Sequence, residues 1–243
     1  MTSNPMTQST IYDGAVVDSQ PMTVSGAVNK TIILLLVTFG VGVFSWTQAF
    51  NGYMDKVVML MWVGIIAGLI LAIIMRFKPQ NAKVLSLGYA VCEGLAIGGI
   101  SAMYEMQLKG IVANAALITF LTLFVMLFLY KLGIIKATDT FRKVVVTATA
   151  SIAIFYLVSI VISFFNANFI AVWNTGLLGI ILSVAFCAVA ALNFILDFNF
   201  IEEGAQKMAP KYFEWFGAFS LLVTIVWLYL ELLRLLAQLS RNR

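Results

Sequence analysis

The sequence predicts an all-α, polytopic membrane protein with seven transmembrane helices, and three observations predict it. Of the 243 residues, 62% are hydrophobic and 11% charged, with a mean hydropathy of +0.99. A soluble domain carries roughly 25% charged residues. Seven apolar segments follow one another, each near the ~20 residues a helix needs to cross a bilayer. The breaks between them carry turn chemistry: Asn51-Gly52, Lys78-Pro79-Gln80-Asn81, Lys109-Gly110, the polar run from Lys136 to Lys143, and Asn166-Ala167-Asn168.

The elements follow in order. Residues 1–30 are polar and mixed, without a basic segment leading into an apolar core and a cleavage site. They read as a cytoplasmic tail without a cleaved signal. The transmembrane domain covers 31–240, with spans at Thr31–Phe50, Val57–Met75, Val84–Tyr104, Ile111–Tyr130, Val144–Phe165, Ala171–Phe198 and Trp215–Ser240. Residues 241–243 form a short C-terminal tail. The stretch FIEEGAQKMAPKYFE before the last span reads as the longest connection, amphipathic and suited to a short interfacial helix.

Lys and Arg set the orientation. One side holds Lys30, Arg76, Lys78, Lys83, Lys131, Lys136, Arg142, Lys143, Lys207 and Lys211; the other holds Lys56, Lys109, Arg241 and Arg243. The excess places the N-terminus in the cytoplasm and, with seven spans, the C-terminus outside. These basic loops also account for the pI of about 9.1, so no nucleic-acid partner is implied.

Composition excludes much chemistry. There is no histidine, so imidazole triads, most zinc sites and imidazole relays are out. Cys92 and Cys187 fall inside spans and read as neither disulfide halves nor metal ligands. No nucleophile has a matched base, and no nucleotide or zinc-protease motif appears. The protein is not expected to be an enzyme or to hold a cofactor. Protons or cations, if handled, must be handled by carboxylates.

The last span concentrates polar residues on one stripe. Ser220, Thr224, Glu231, Arg234 and Gln238 are spaced 4, 7, 3 and 4 apart, which puts them on one helix face. Such a stripe packs against protein or water inside a bundle. The bland alternative is local pairing of Glu231 with Arg234 near the interface. The sixth span carries a matching stripe of Ser183, Cys187, Ala190, Asn193 and Asp197.

Three carboxylates lie at or near membrane depth, where ionisable groups are costly. Glu93 sits about 15 Å into the third span. Gly94-x-x-x-Gly98 follows it and lets a helix approach closely. Glu93 suits an ion pathway or a structural hydrogen bond equally. Asp197 lies near the cytoplasmic end of the sixth span, where an interface charge would also be cheap. Glu231 is mid-span in the last helix. If Asp197 and Glu231 face each other they can share a proton, titrate as a pair and act as a latch. Ionised, their oxygens would suit a hard cation such as Ca²⁺. Asn193 and Arg234 are the polar neighbours that would line such a pathway.

Three motifs then resemble one family. EGLAIGGISAMYE in the third span, LNFILDFNFIEEG ending the sixth, and LYLELLRLL in the last are similar to the Bax inhibitor-1 family, bacterial branch, across about residues 25 to 240. Leu196 stands where the family carries a tyrosine before its aspartate, and Glu231 stands where it carries an aspartate. The resemblance implies two three-helix layers around a central C-terminal helix, in a bacterial inner membrane. It also implies a pH-sensitive calcium leak, with Asp197 and Glu231 as the gating pair. Some members bring an arginine from the second helix to that pair. Here Arg76 stands at the end of the second span, and Arg234 would have to substitute.

Two functions of different class follow. One is a pH-sensitive calcium or cation leak channel with Ca²⁺ and protons as its partners. The other is a non-transporting interaction protein that modulates membrane proteolysis or the stress response through a membrane-protein partner, the N-terminal tail being its binding element. A proton-coupled transporter is a third, for which the sequence names no substrate. Oligomeric state is not encoded in any motif.

Overall fold

The computed structural model describes residues 21–165 and 176–241. The N-terminal twenty residues, the Asn166-Ala167-Asn168 turn, Trp173 and the expected start of the sixth span at Ala171 lie outside them. Among the described residues there are seven long α-helices and no strand: α1 (Val24–Phe50), α2 (Met54–Phe77), α3 (Ala82–Gln107), α4 (Ile111–Lys131), α5 (Asp139–Phe165), α6 (Gly176–Gln206) and α7 (Phe213–Arg241). All seven are long and apolar enough to cross a bilayer. The protein is a multi-pass membrane protein.

Two boundaries differ most from the sequence expectation. α1 begins at Val24, not Thr31, because Thr23 caps it: the Thr23 side chain accepts from the Gly26 N–H at 2.9 Å. The long amphipathic loop before the last span does not exist. α6 runs on to Gln206 and α7 starts at Phe213, leaving only Lys207–Tyr212 as the connection. The charges of Glu202 and Glu203 suggested a loop, but glutamate is a good helix former. Glu203 also pairs with Lys207 one turn on at 2.8 Å. Met208, at φ 51°, then turns the chain out of the helix.

The described residues fall into two compact units. One holds α1, α2, α3 and Asn199–Val223. In it α3 lies between α1 and α2, and small residues permit the approach. A Cβ on Gly94 would lie 2.6 Å from the Thr38 carbonyl oxygen, and one on Gly98 would strike the Gly42 carbonyl and Ser45. Thr38 and Ser45 donate to the carbonyls of Ala90 and Leu95, both at 3.2 Å. This register, rising on both helices, makes α1 and α3 parallel. On the other face Gly64 meets Cys92, and Val57 and Met61 meet Gly99, so α2 runs antiparallel to α3. The Gly94-x-x-x-Gly98 motif thus serves α1.

In the same unit the residues before α1 are pinned to the α6–α7 connection. Met22 N–H donates to Ala209 at 2.8 Å, and Pro21 bridges Pro210. Phe200, Phe213 and Phe219 each pack a tilted or edge-on ring against Phe216 at the facing ends of α6 and α7.

The other unit holds α4, α5, Gly176–Phe198 of α6 and the part of α7 from Thr224. Ser183 pairs with Gln238 and Asp197 with Thr224. As residue numbers fall on α6 they rise by the same step on α7, so these helices are antiparallel. α5 joins through Asn193, which donates to Thr149 at 2.9 Å, and through the Phe155, Tyr156 and Phe186 rings. α7 is the most enclosed helix: 78% of its apolar window is buried, against 11–44% for the others. Its polar stripe survives because protein, not lipid, covers it.

Candidate functional site

The site grows from the two polar stripes. On α6 and α7 the antiparallel register aligns Ser183 with Gln238 (3.0 Å) and Asp197 with Thr224 (2.6 Å). Midway in that register Ala190 falls level with Glu231 and is fully buried. Asn193 of the α6 stripe reaches Thr149 of α5 instead, and also donates to the Val189 carbonyl of its own helix at 2.8 Å.

Glu231 is buried, with 4% of its surface exposed. Its Oε1 accepts from the Tyr156 hydroxyl of α5 and from Trp227 Nε1 at 3.2 Å. Its Oε2 makes no hydrogen bond among the described residues and lies 3.7 Å from Arg234 Nη1. Arg234 in turn donates to the Tyr156 hydroxyl at 2.6 Å and stacks over that ring, 5.1 Å from its centroid. Asp197, also buried, accepts from Thr224 through Oδ2. Thr224 and Glu231 share one face of α7, two turns and about 10 Å of rise apart. The structure therefore puts Asp197, Glu231, Arg234 and Asn193 in one unit, with each carboxylate tied to a hydroxyl of another helix or turn.

A family model described as Bax inhibitor 1 like matches residues 3–241. The chain belongs to the Bax inhibitor-1-like family. No curated protein and no solved structure matches it.

Glu93 goes elsewhere. It is half-buried on α3 in the unit of α1 and α2 and hydrogen-bonds Tyr89 one turn before it. The Tyr89 ring packs edge-on against Phe219 at 4.8 Å. No group of three or more metal-ligating side chains occurs among the described residues. A cation at Asp197 or Glu231 would need water or backbone oxygens to complete its shell.

Sequence reasoning missed two groups. Tyr156 is one of eight tyrosines and falls in none of the polar stripes. Its signal was a phenol near mid-span, where a hydroxyl needs a partner. Glu214 was read as loop. It lies in the first turn of α7 with 2% exposure. It accepts from Thr23 N–H at 2.9 Å and Thr23 Oγ1 at 3.1 Å, and pairs with Lys30. Lys30 had been counted only as a loop charge.

Proposed function

We propose that this Bax inhibitor-1-like protein is a pH-sensitive leak for cations, calcium among them, controlled by Asp197 on α6 and Glu231 on α7. One observation carries the proposal: Glu231 is a buried carboxylate at mid-span with one oxygen that no described hydrogen bond occupies. Buried polar atoms mostly have a hydrogen-bond partner, so a buried carboxylate oxygen without one is a place where a ligand can be gained. The open oxygen is where a cation passing along the α6–α7 seam would gain a ligand. Ionised, Glu231 and Asp197 attract cations; protonated, they do not. Flux is therefore expected to rise with pH. The family's presence in membranes fits this role, and the bacterial inner membrane with a cytoplasmic N-terminus is the proposed setting. The Lys30–Glu214 contact supports the expected topology, because it puts the start of α1 and the α6–α7 connection on one face.

The test is Ca²⁺ flux into liposomes holding the purified protein, with pH stepped between about 6 and 8, a range that buried carboxylates reach. Asp197→Asn and Glu231→Gln run beside the parent. A pH-dependent flux altered by both substitutions supports the proposal. No flux above empty liposomes sinks it, and leaves the non-transporting interaction protein.

A further inference from the structure

In the unit of α1, α2, α3 and Asn199–Val223, the faces of α3 are occupied differently. Val84 and Val91, one above the other and 73% and 41% exposed, mark the face turned to lipid. Gly94 and Gly98 seat α1, and Cys92 and Gly99 seat α2. Glu93 is on none of these faces. At about 3.6 residues per turn it lies about 160° around the helix from Val91. It shares instead the face of Tyr89, one turn earlier, whose ring packs on Phe219 of α7. Along this inner face Ser86 and Tyr89 are buried, but Glu93, Ile97, Ile100 and Tyr104 are half-buried. Accessible surface therefore begins at Glu93 and runs to the end of α3, on the side away from lipid. α7 faces it in register. The starts of α1 and α7 share one end, because Thr23 binds Glu214, and α1 is parallel to α3. One turn beyond the Tyr89–Phe219 contact, Val223 of α7 thus comes level with Glu93. Val223 is half-buried too, although Leu221 and Leu222 beside it are buried.

We propose that this surface lines a water-filled crevice between α3 and the first turns of α7, and that Glu93 at its floor is the anionic group that draws small cations into it. A carboxylate offers about four lone-pair sites. The Tyr89 hydroxyl takes one. Hydrocarbon satisfies none of the rest, and a carboxylate held at mid-span faces protein partners or water. The accessible surface beside Glu93 gives water that place. The Tyr89–Phe219 ring pair closes the crevice toward the start of both helices, and the half-buried residues beyond Glu93 leave it open toward the end of α3. Low-dielectric walls around one negative charge concentrate cations and repel anions. The crevice is independent of the leak proposed above, and its test needs no flux.

The experiment is thiol labelling of the full chain in lipid vesicles. Ile97→Cys places a thiol one turn beyond Glu93. It is treated in separate samples with a cationic (trimethylammonium-ethyl) and an anionic (sulfonato-ethyl) methanethiosulfonate, each rate being divided by the reagent's rate with a small free thiol. The mass of the labelled peptide separates this site from the native Cys92 and Cys187. The cationic reagent is expected to be favoured by about tenfold or more. Glu93→Gln in the same chain is expected to bring that ratio close to one. Val91→Cys, on the lipid face, is expected to react with neither, because charged reagents do not enter hydrocarbon. Val223→Cys reads the crevice from α7 and serves if Ile97→Cys does not fold. A thiol at these positions that reacts no faster than Val91→Cys overturns the crevice. A ratio that Glu93→Gln leaves unchanged overturns the role of Glu93. Ca²⁺ flux on the same vesicles keeps the two proposals apart: selective labelling without flux sinks the leak and keeps the crevice, and flux without labelling does the reverse.

Discussion

Two glutamates on α7 are buried to nearly the same degree and treated in opposite ways. Glu214, in the first turn, uses both oxygens: Oε1 takes two donors from Thr23 and Oε2 takes Lys30. Glu231, seventeen residues on, also gives Oε1 to two donors, Tyr156 and Trp227, but its Oε2 stays without a hydrogen bond among the described residues. Its cation, Arg234, stands back at 3.7 Å and is partly exposed. The difference separates a carboxylate with donors on both oxygens from one with donors on a single oxygen. Burial alone does not distinguish them; the count of donors on the second oxygen does.

Breaking the closed cluster should have the largest effect. Glu214→Ala leaves Lys30 without its partner in a mostly buried place, and is expected to cost about 3–5 kcal/mol in thermal or denaturant unfolding in detergent. Replacing both residues by methionine should cost less than Glu214→Ala alone, because no charge is stranded. A double variant as unstable as the single one would show that packing, not the ion pair, matters there.

Next comes the link that joins α6 to α7. Thr224→Val keeps the shape and removes the donor to Asp197, for an expected loss of about 1.5–3 kcal/mol, the value of a hydrogen bond to a charged group. Unfolding at neutral pH reads it. At acid pH, where Asp197 takes a proton, the difference between Thr224→Val and the parent should shrink. An unchanged difference would separate Thr224 from the charge of Asp197.

The smallest stability effect is expected at the open glutamate. Glu231→Gln keeps an oxygen for Tyr156 and Trp227, and the long contact to a partly exposed Arg234 is worth little. Its cost should stay within about 1 kcal/mol, while Ca²⁺ flux falls severalfold. A substitution as damaging as Glu214→Ala would put Glu231 with the structural carboxylates and end the contrast.

The polar stripes of α6 and α7 were legible because a bilayer leaves so few polar residues to explain. Ser183 and Gln238, and Asp197 and Thr224, pair across the seam that their spacing predicts, while Glu231 turns to Tyr156 of α5. The Gly94-x-x-x-Gly98 motif was legible for the same reason, though not its partner, α1. Tyr156 was not legible: one phenol among eight tyrosines carries no periodic signal. Glu214 was hidden by its neighbours, since a charged run between spans looks like a loop until both its helix and its counter-ion are known.

Hydropathy and its period determined by themselves that the chain crosses a membrane as seven helices, where each helix sits to within a few turns, and which faces of α6 and α7 avoid lipid. These are local properties, set by the cost of exposing backbone and charge to hydrocarbon. Only the tertiary structure decided which hydroxyl meets which carboxylate. Asp197 is tied to Thr224, Glu231 to Tyr156 and Glu214 to Lys30. Those pairings span up to 184 residues of chain, and they depend on helix register and side-chain reach, which no stretch of sequence encodes alone.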